Sequence, residues 1–287
     1  DAASSDLKVA LGLLDIRLIC GDADLIAAVQ HDAIDDWRGR SRERLPQLRT
    51  SLVERHLRAG ELAYLLEPDL KEARGGLRDI TALRAIALSG AVNVSLEQVS
   101  AAESVLMNAR EALHEVTGRD KDRLLFQEQD KVAELLSYKD ADELMSAIAQ
   151  AARSVDYLLD STWHRFDHRG KDGLGRFLKR PRSTQVAPGI VISHQEVSIA
   201  DGFDLAADPV IAIRAAAIAA QAGLPIAPAT LQSLFNSYQD GVGEMPNLWP
   251  RAARENLIAL IGAGQPMVRI WEALDQEETF STMLSEY

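Results

Sequence analysis

The chain has 287 residues, 47% of them hydrophobic and 26% charged, a composition that builds real cores over one or two domains and excludes a disordered protein. Its formal net charge of −12 argues against general affinity for nucleic acid or an anionic membrane surface. Cys20 is the only cysteine, so no internal disulfide can form; a reducing cytoplasm is the natural compartment, and Cys20 is expected to be a small packed side chain.

In chain order, Leu11, Leu14 and Leu18 at spacings of three and four predict a helix over 7–20, closed by Gly21-Asp22. A second helix is expected over 23–31. "IDDWRGRSRERLPQLRTSLVERHLRAGELAYLLEP" reads as a long charged helical region in which Pro46 marks a break or a first turn. Glu67-Pro68 ends it, because the residue before a proline avoids helical backbone. Leu77, Ile80, Leu83 and Ala87 form an apolar stripe that stops near Ser89-Gly90. Further helices are predicted over 96–117, with Ser95 as N-cap, and over 127–136 and 141–166.

The texture changes at Gly170. "GKDGLGRFLKRPRSTQVAPG" is a basic connector punctuated by Gly and Pro, read as a solvated or internally paired face, or as a nucleotide or partner contact. Beyond Phe177 it has little aromatic interleaving for base stacking. Ile190-Val191-Ile192, His194-Gln195-Glu196 and Val197-Ser198-Ile199 alternate with period two and predict a β-hairpin. Helices return from Asp208 to Tyr238 and from Arg251 to Leu260, with Trp271 and Phe280 in the last ones. "VIAIRAAAIAAQAGL", the most apolar run, is interrupted by Arg214 and Gln221 and is too short to cross a bilayer. The prediction is a mainly α protein: a helical bundle over 1–169, a basic connector with a small β-hairpin insertion over 170–205, and a C-terminal helical region over 206–287. The start "DAASSD", without Met, suits a segment of a longer protein or simple N-terminal processing.

Two clusters invite chemistry. "WHRFDH" sets His164 and His168 four apart around Asp167; it lacks the central Glu of a zinc protease, and solvated or capping residues are the expected reading. "KEARGGLRD", residues 71–79, packs Lys71, Arg74 and Arg78, the carboxylates of Glu72 and Asp79, and the pair Gly75-Gly76 into nine positions. A glycine pair lets backbone approach an anion, and a helix starting beside it offers unpaired N–H groups. The three cations would grip a phosphate chain, with Glu72 or Asp79 orienting them or assisting a metal. The plainer alternative is a strained helix junction in which Asp79 stabilises the first turn by about 0.3–1 kcal/mol.

"LLEPDLKEARGGLRDI" resembles the bacterial PII uridylyltransferase/uridylyl-removing family, whose stretch reads close to "EPN-KEGPGGLRD". "ALGLLDIRLICGD", "RLLFQEQDKVAELL" and "WEALDQEETFSTMLSEY" resemble further parts of that family in the right order, so the likeness spans nearly the whole chain. Ala73-Arg74 departs from the family's Gly-Pro. The glutamine synthetase adenylyltransferases share a related "GGIRDIE" element. The resemblance implies an upstream nucleotidyltransferase core whose Asp-x-Asp pair holds Mg²⁺, and a downstream His-Asp phosphohydrolase domain followed by two glutamine-sensing domains. It further implies UTP or ATP as substrate, and as partners the PII signalling protein and the core and hydrolase domains. On that reading Lys71, Glu72, Arg74, Gly75, Gly76, Arg78 and Asp79 face a nucleotide, while this segment carries no catalytic residue or metal ligand of its own and is inactive alone. A non-catalytic helical interaction module and a segment of the adenylyltransferase are the competing expectations.

Overall fold

Asp6 and Asp22 open the first two helices by the same device. The Asp6 side chain accepts the Lys8 N–H at 2.8 Å, and Asp22 accepts those of Asp24 and Leu25 at 2.9 and 3.2 Å, which satisfies donors that a helix start leaves unpaired. The computed structural model describes residues 6–94, 96–169, 183–193, 195–239 and 250–276. The chain divides into two compact units, Asp1–Phe166 and Asp167–Tyr287.

The first unit holds α1 (Leu7–Leu14), α2 (Ala23–Gly39), α3 (Ser41–Ala59), a single 3₁₀ turn (Leu62–Tyr64), α4 (Leu77–Leu88), α5 (Leu96–Thr117), α6 (Phe126–Leu135) and α7 (Ala141–Arg169). Most predicted helices are present with shifted ends. The first stops at Leu14 rather than Cys20: the Gln30 amide donates to the Ile16 carbonyl, and Cys20 is exposed, not packed. The second runs on to Gly39, because Trp37 buries its ring and donates its indole N–H to the Ala85 carbonyl at 2.8 Å. Pro46 lies inside α3. Its missing N–H costs only the bond to the Arg42 carbonyl, near the helix start. Leu45, Leu48 and Leu52 of α3, Ile80, Leu83 and Ile86 of α4, Val99, Leu106 and Leu113 of α5, and Leu144, Ile148 and Val155 of α7 share one core. Burying a side chain of that size fully is worth about 1.5–3 kcal/mol. Arg49 lies over the Trp163 ring at 5.4 Å, which fixes α3 against α7. Ser95, the expected N-cap of α5, lies outside the described residues.

The second unit opens on an antiparallel sheet in the order β1 (Thr184–Ala187), β2 (Ile190–Ser193), β3 (Glu196–Ile199). The hairpin prediction is met by β2 and β3. The third strand, β1, was not anticipated, because it is short, interrupted by a bulge between Gln185 and Ala187, and sits at the end of a Gly/Pro-rich stretch. Val197 extends the sheet by bonding to Pro225 and Ala227, both at 2.9 Å. A 3₁₀ turn (Leu205–Ala207) and four helices follow: α8 (Ile211–Ala222), α9 (Pro228–Gln239), α10 (Arg251–Gly262) and α11 (Gln265–Gln276). Buried Ala215, Ala216, Ala219 and Ala220 make α8 a slim central helix against which α10, α11 and β3 pack. The most apolar run of the sequence is thus core. No single helix among the described residues is long and apolar enough to cross a membrane. The protein is mainly α with a small sheet, as expected.

Candidate functional site: the elbow at residues 69–79

Asp69 starts the elbow: its carboxylate accepts the N–H groups of Lys71 (3.0 Å) and Glu72 (2.7 Å) and turns the chain after Pro68. The backbone then folds on itself. Gly76 N–H donates to Ala73 O at 2.9 Å, Leu77 N–H to Leu70 O at 3.0 Å and Arg78 N–H to Lys71 O at 3.2 Å. The opening donors of α4 are therefore already satisfied. The expected row of unpaired amides aimed at an anion is not present, because the elbow's own carbonyls occupy it.

Asp79 is fully buried and organises this closure. Its carboxylate accepts the Gly75 N–H at 2.7 Å, the Arg55 guanidinium at 2.5 Å and the His56 ring nitrogen at 2.9 Å. Arg55 also donates to the Glu72 carbonyl at 2.7 Å. Burial alone would raise the Asp79 pKa, but the His56 hydrogen bond and the Arg55 charge outweigh it and hold the carboxyl below the usual range. These contacts differ from the first-turn role considered for this residue: they close the elbow at Gly75 and tie it to α3, while backbone carbonyls take the first amides of α4.

Gly75 has φ +84°, and a Cβ placed there would lie 2.5 Å from the Ala152 carbonyl oxygen of α7. That backbone contact, not room for an anion, requires the glycine. A Cβ on Gly76 would meet the Ala73, Leu70 and Lys71 carbonyls within 3.0 Å.

The cations divide. Arg74 is clamped by Asp156 at 2.5 Å and Asp160 at 3.1 Å on successive turns of α7, with Glu61 at 4.0 Å. Burial works against its charge, yet these carboxylates keep the guanidinium firmly protonated, above its ordinary pKa. Lys71 meets Asp122 at 3.2 Å, and Asp122 also accepts from Arg110 at 2.6 Å. Arg78 is different: its side chain is 54% exposed and pairs with Glu72, itself 37% exposed, at 2.5 Å. The structure brings all seven sequence-predicted residues into one elbow and leaves only Arg78, Glu72 and part of Lys71 toward solvent. Arg55, His56, Arg110, Asp122, Asp156 and Asp160 complete the network. They escape sequence reading because the direct links to the elbow span at least 17 residues, and Arg110 joins only through Asp122.

Burial, opposed by Arg74 and reinforced by the neighbouring Asp160 charge, pushes Asp156 up to about 6. A carboxyl whose folded pKa is raised favours the fold when protonated. Its contribution is complete below the unfolded value near pH 4 and disappears as pH rises through about 6. Asp79 and Asp122 run oppositely: their pKa values are lowered, so their contribution is present above about pH 4 and lost as pH falls below it. In urea titrations Asp156→Asn is expected to abolish the stability decline between about pH 4 and 6, and to leave the acid limb unchanged. An unaltered decline would exclude Asp156 as its source.

Among the described residues no three His, Cys, Asp or Glu side chains come together in a way that could hold a metal ion; the side chain of His168 lies outside them. Phe280, Trp249 and most of the basic connector are likewise outside the described residues.

Residues 43–163 match the family model described as GlnD PII-uridylyltransferase, and so take in α3, the elbow and most of α7. A bifunctional uridylyltransferase/uridylyl-removing enzyme of Streptomyces coelicolor is 41% identical over 99% of this chain and 35% of its own length. Enzymes of the same name from Mycobacterium tuberculosis and Corynebacterium glutamicum are 32% and 28% identical, again over 99% of this chain, which covers 36% and 40% of them. The chain thus corresponds to a segment of these uridylyltransferases and spans little more than a third of their length. No solved structure matches it.

Proposed function

We propose that this chain is the helical segment of a cytoplasmic uridylyltransferase/uridylyl-removing enzyme, and that it supports transfer of a nucleotidyl group from UTP (or ATP) to a tyrosine of the PII signalling protein. The elbow lies inside the matched family domain. Within it, the observation that carries the reading is the exposure of Arg78. Nucleotidyl transfer needs charge neutralisation and positioning of the phosphate chain. Arg78 can exchange its surface partner Glu72 for a phosphate and offer it two parallel N–H donors. Lys71 can follow without orphaning its carboxylate, since Arg110 stays on Asp122 at 2.6 Å. Arg74, Gly75, Gly76 and Asp79 then support the site by fixing the backbone that carries Arg78. A Mg²⁺ ion in this reaction would draw its ligands from elsewhere in a protein of the relatives' length, as would removal of the group, and the chain alone is expected to be inactive.

The expected result, in a protein of the relatives' full length, is that Arg78→Ala lowers transfer to PII at least about tenfold, roughly 1.4 kcal/mol of transition-state stabilisation. Its unfolding free energy should stay within about 0.5 kcal/mol, as for other exposed substitutions. The second reading, a purely structural elbow inside an interaction module, is favoured by the internal pairing of Arg74 and Asp79. Unchanged transfer by well-folded Arg78→Ala would select it.

A further inference from the structure

The loop that joins α5 to α6 is pinned against the elbow. Leu70 N–H donates to Asp122 O at 2.8 Å and Leu124 N–H to Pro68 O at 2.9 Å, so residues 122–124 run beside 68–70 as a short bridged pair. The same loop, the end of α5 and the start of α6 line a cleft of about 500 Å³, through Val116, Thr117, Arg119, Lys121, Gln127, Glu128 and Lys131. That volume lies within the range of small-molecule sites. Its charges are unbalanced: three cations face one carboxylate.

That carboxylate is already committed. Glu128 is buried at the third position of α6 and reaches back to the Leu125 N–H at 3.3 Å, the capping arrangement for that helix. Lys121 approaches it at 3.9 Å, a distance at which the lysine keeps most of its donor capacity. Among the described residues neither Arg119 nor Lys131 forms an ion pair. They line the cleft from different elements, Arg119 from the loop and Lys131 from the second turn of α6. Each of the elbow's three cations has a carboxylate partner, whereas among the described residues two of the three cations lining this cleft have none. Three cations on pinned elements around one opening match a ligand with several closely spaced negative oxygens.

We propose that this cleft is a second anion site, which takes the polyphosphate group of a small phosphorylated ligand through Arg119, Lys121 and Lys131. It is separate from the Arg78 contact and does not depend on it. Arg119 supplies the forked donor, and the two lysines act as point charges on neighbouring phosphates. Inorganic tripolyphosphate and a nucleoside triphosphate share this chemistry, so both serve as probes.

The test is calorimetric titration of the full chain at low ionic strength with tripolyphosphate, UTP and uridine in turn, repeated on Arg119→Glu/Lys131→Glu. Both sites are exposed, so the variant is expected to fold, and circular dichroism confirms that it has. Saturable binding of tripolyphosphate and UTP, weakened at least about tenfold in the variant and absent for uridine, is expected. Lys121→Ala alone in the full chain is expected to weaken tripolyphosphate binding as well, and unchanged affinity would contradict its place in the site. Binding of UTP without tripolyphosphate, uridine binding equal to UTP, or equal affinity of the variant would each overturn the proposal. None of these outcomes touches Arg78, so the transfer experiment above stands or falls separately.

Discussion

Asp79→Ala is expected to lower the unfolding free energy of the chain by about 3–5 kcal/mol, the cost of breaking a buried ion pair by removing one partner. The loss has three parts that share one carboxylate. Arg55, only 8% exposed, would keep its charge with no counter-ion within reach. Gly75 would lose the acceptor for its N–H at 2.7 Å, and His56 the acceptor at 2.9 Å. Asp79→Asn retains an oxygen for Gly75 but not the charge for Arg55, and it should fall between wild type and Ala. Urea unfolding at neutral pH, followed by circular dichroism, gives the ranking directly. A loss below about 1 kcal/mol for the alanine variant, the value of an ordinary hydrogen bond, would mean that the carboxylate does not organise the elbow.

Gly75→Ala is the second large effect. The backbone there has φ +84°, a conformation that costs an L-residue roughly 1–2 kcal/mol. The added methyl would also lie 2.5 Å from the Ala152 carbonyl oxygen and 3.1 Å from its Cα. Those atoms belong to the backbone of α7 and cannot rotate away, so α7 or the elbow must shift; overpacking of that kind costs about 1–3 kcal/mol. The sum, about 2–5 kcal/mol, should appear as reduced thermal stability. It should appear as well in faster amide exchange in α4, whose start the elbow fixes. Gly90→Ala is the internal control: φ is also positive there (+66°), but nothing lies within 4 Å of the added methyl. It should show the backbone cost alone. Equal losses at the two positions would remove the packing argument.

The helices of this protein were legible because their signals are local. The stripe Leu77, Ile80, Leu83 and Ala87 and the glycine after Ser89 are enough to place α4, and the Ile190–Ile199 alternation is enough for the hairpin. The elbow was legible as a location, since a glycine pair among charges is unusual in a helical chain. Its chemistry was not. Whether Arg74 meets a phosphate or Asp156 depends on a contact 82 residues away, and no spacing rule encodes that. Asp156 and Asp160 do sit four apart on α7, as a pair that grips one guanidinium must, but only the fold shows which arginine arrives. The helix start likewise promised free amides, but the elbow folds back so that Leu77 and Arg78 donate to carbonyls seven residues earlier, Leu70 and Lys71. The third strand was hidden by its brevity and its bulge. The cleft at Arg119 and Lys131 had no sequence signal at all, because isolated surface cations are common in any acidic protein.

The proposed function divides the labour between two arginines four residues apart. Arg74 is given a structural role and Arg78 a role toward the nucleotide. The deciding measurement compares the two alanine variants side by side, reading transfer to PII in a protein of the relatives' full length and thermal unfolding of the 287-residue chain. Opposite signatures are predicted: Arg78→Ala loses transfer with its melting temperature unchanged, and Arg74→Ala melts earlier because Asp156 and Asp160 are left facing each other. Full transfer by Arg78→Ala, or an Arg74→Ala protein that keeps its stability but not its activity, would contradict it.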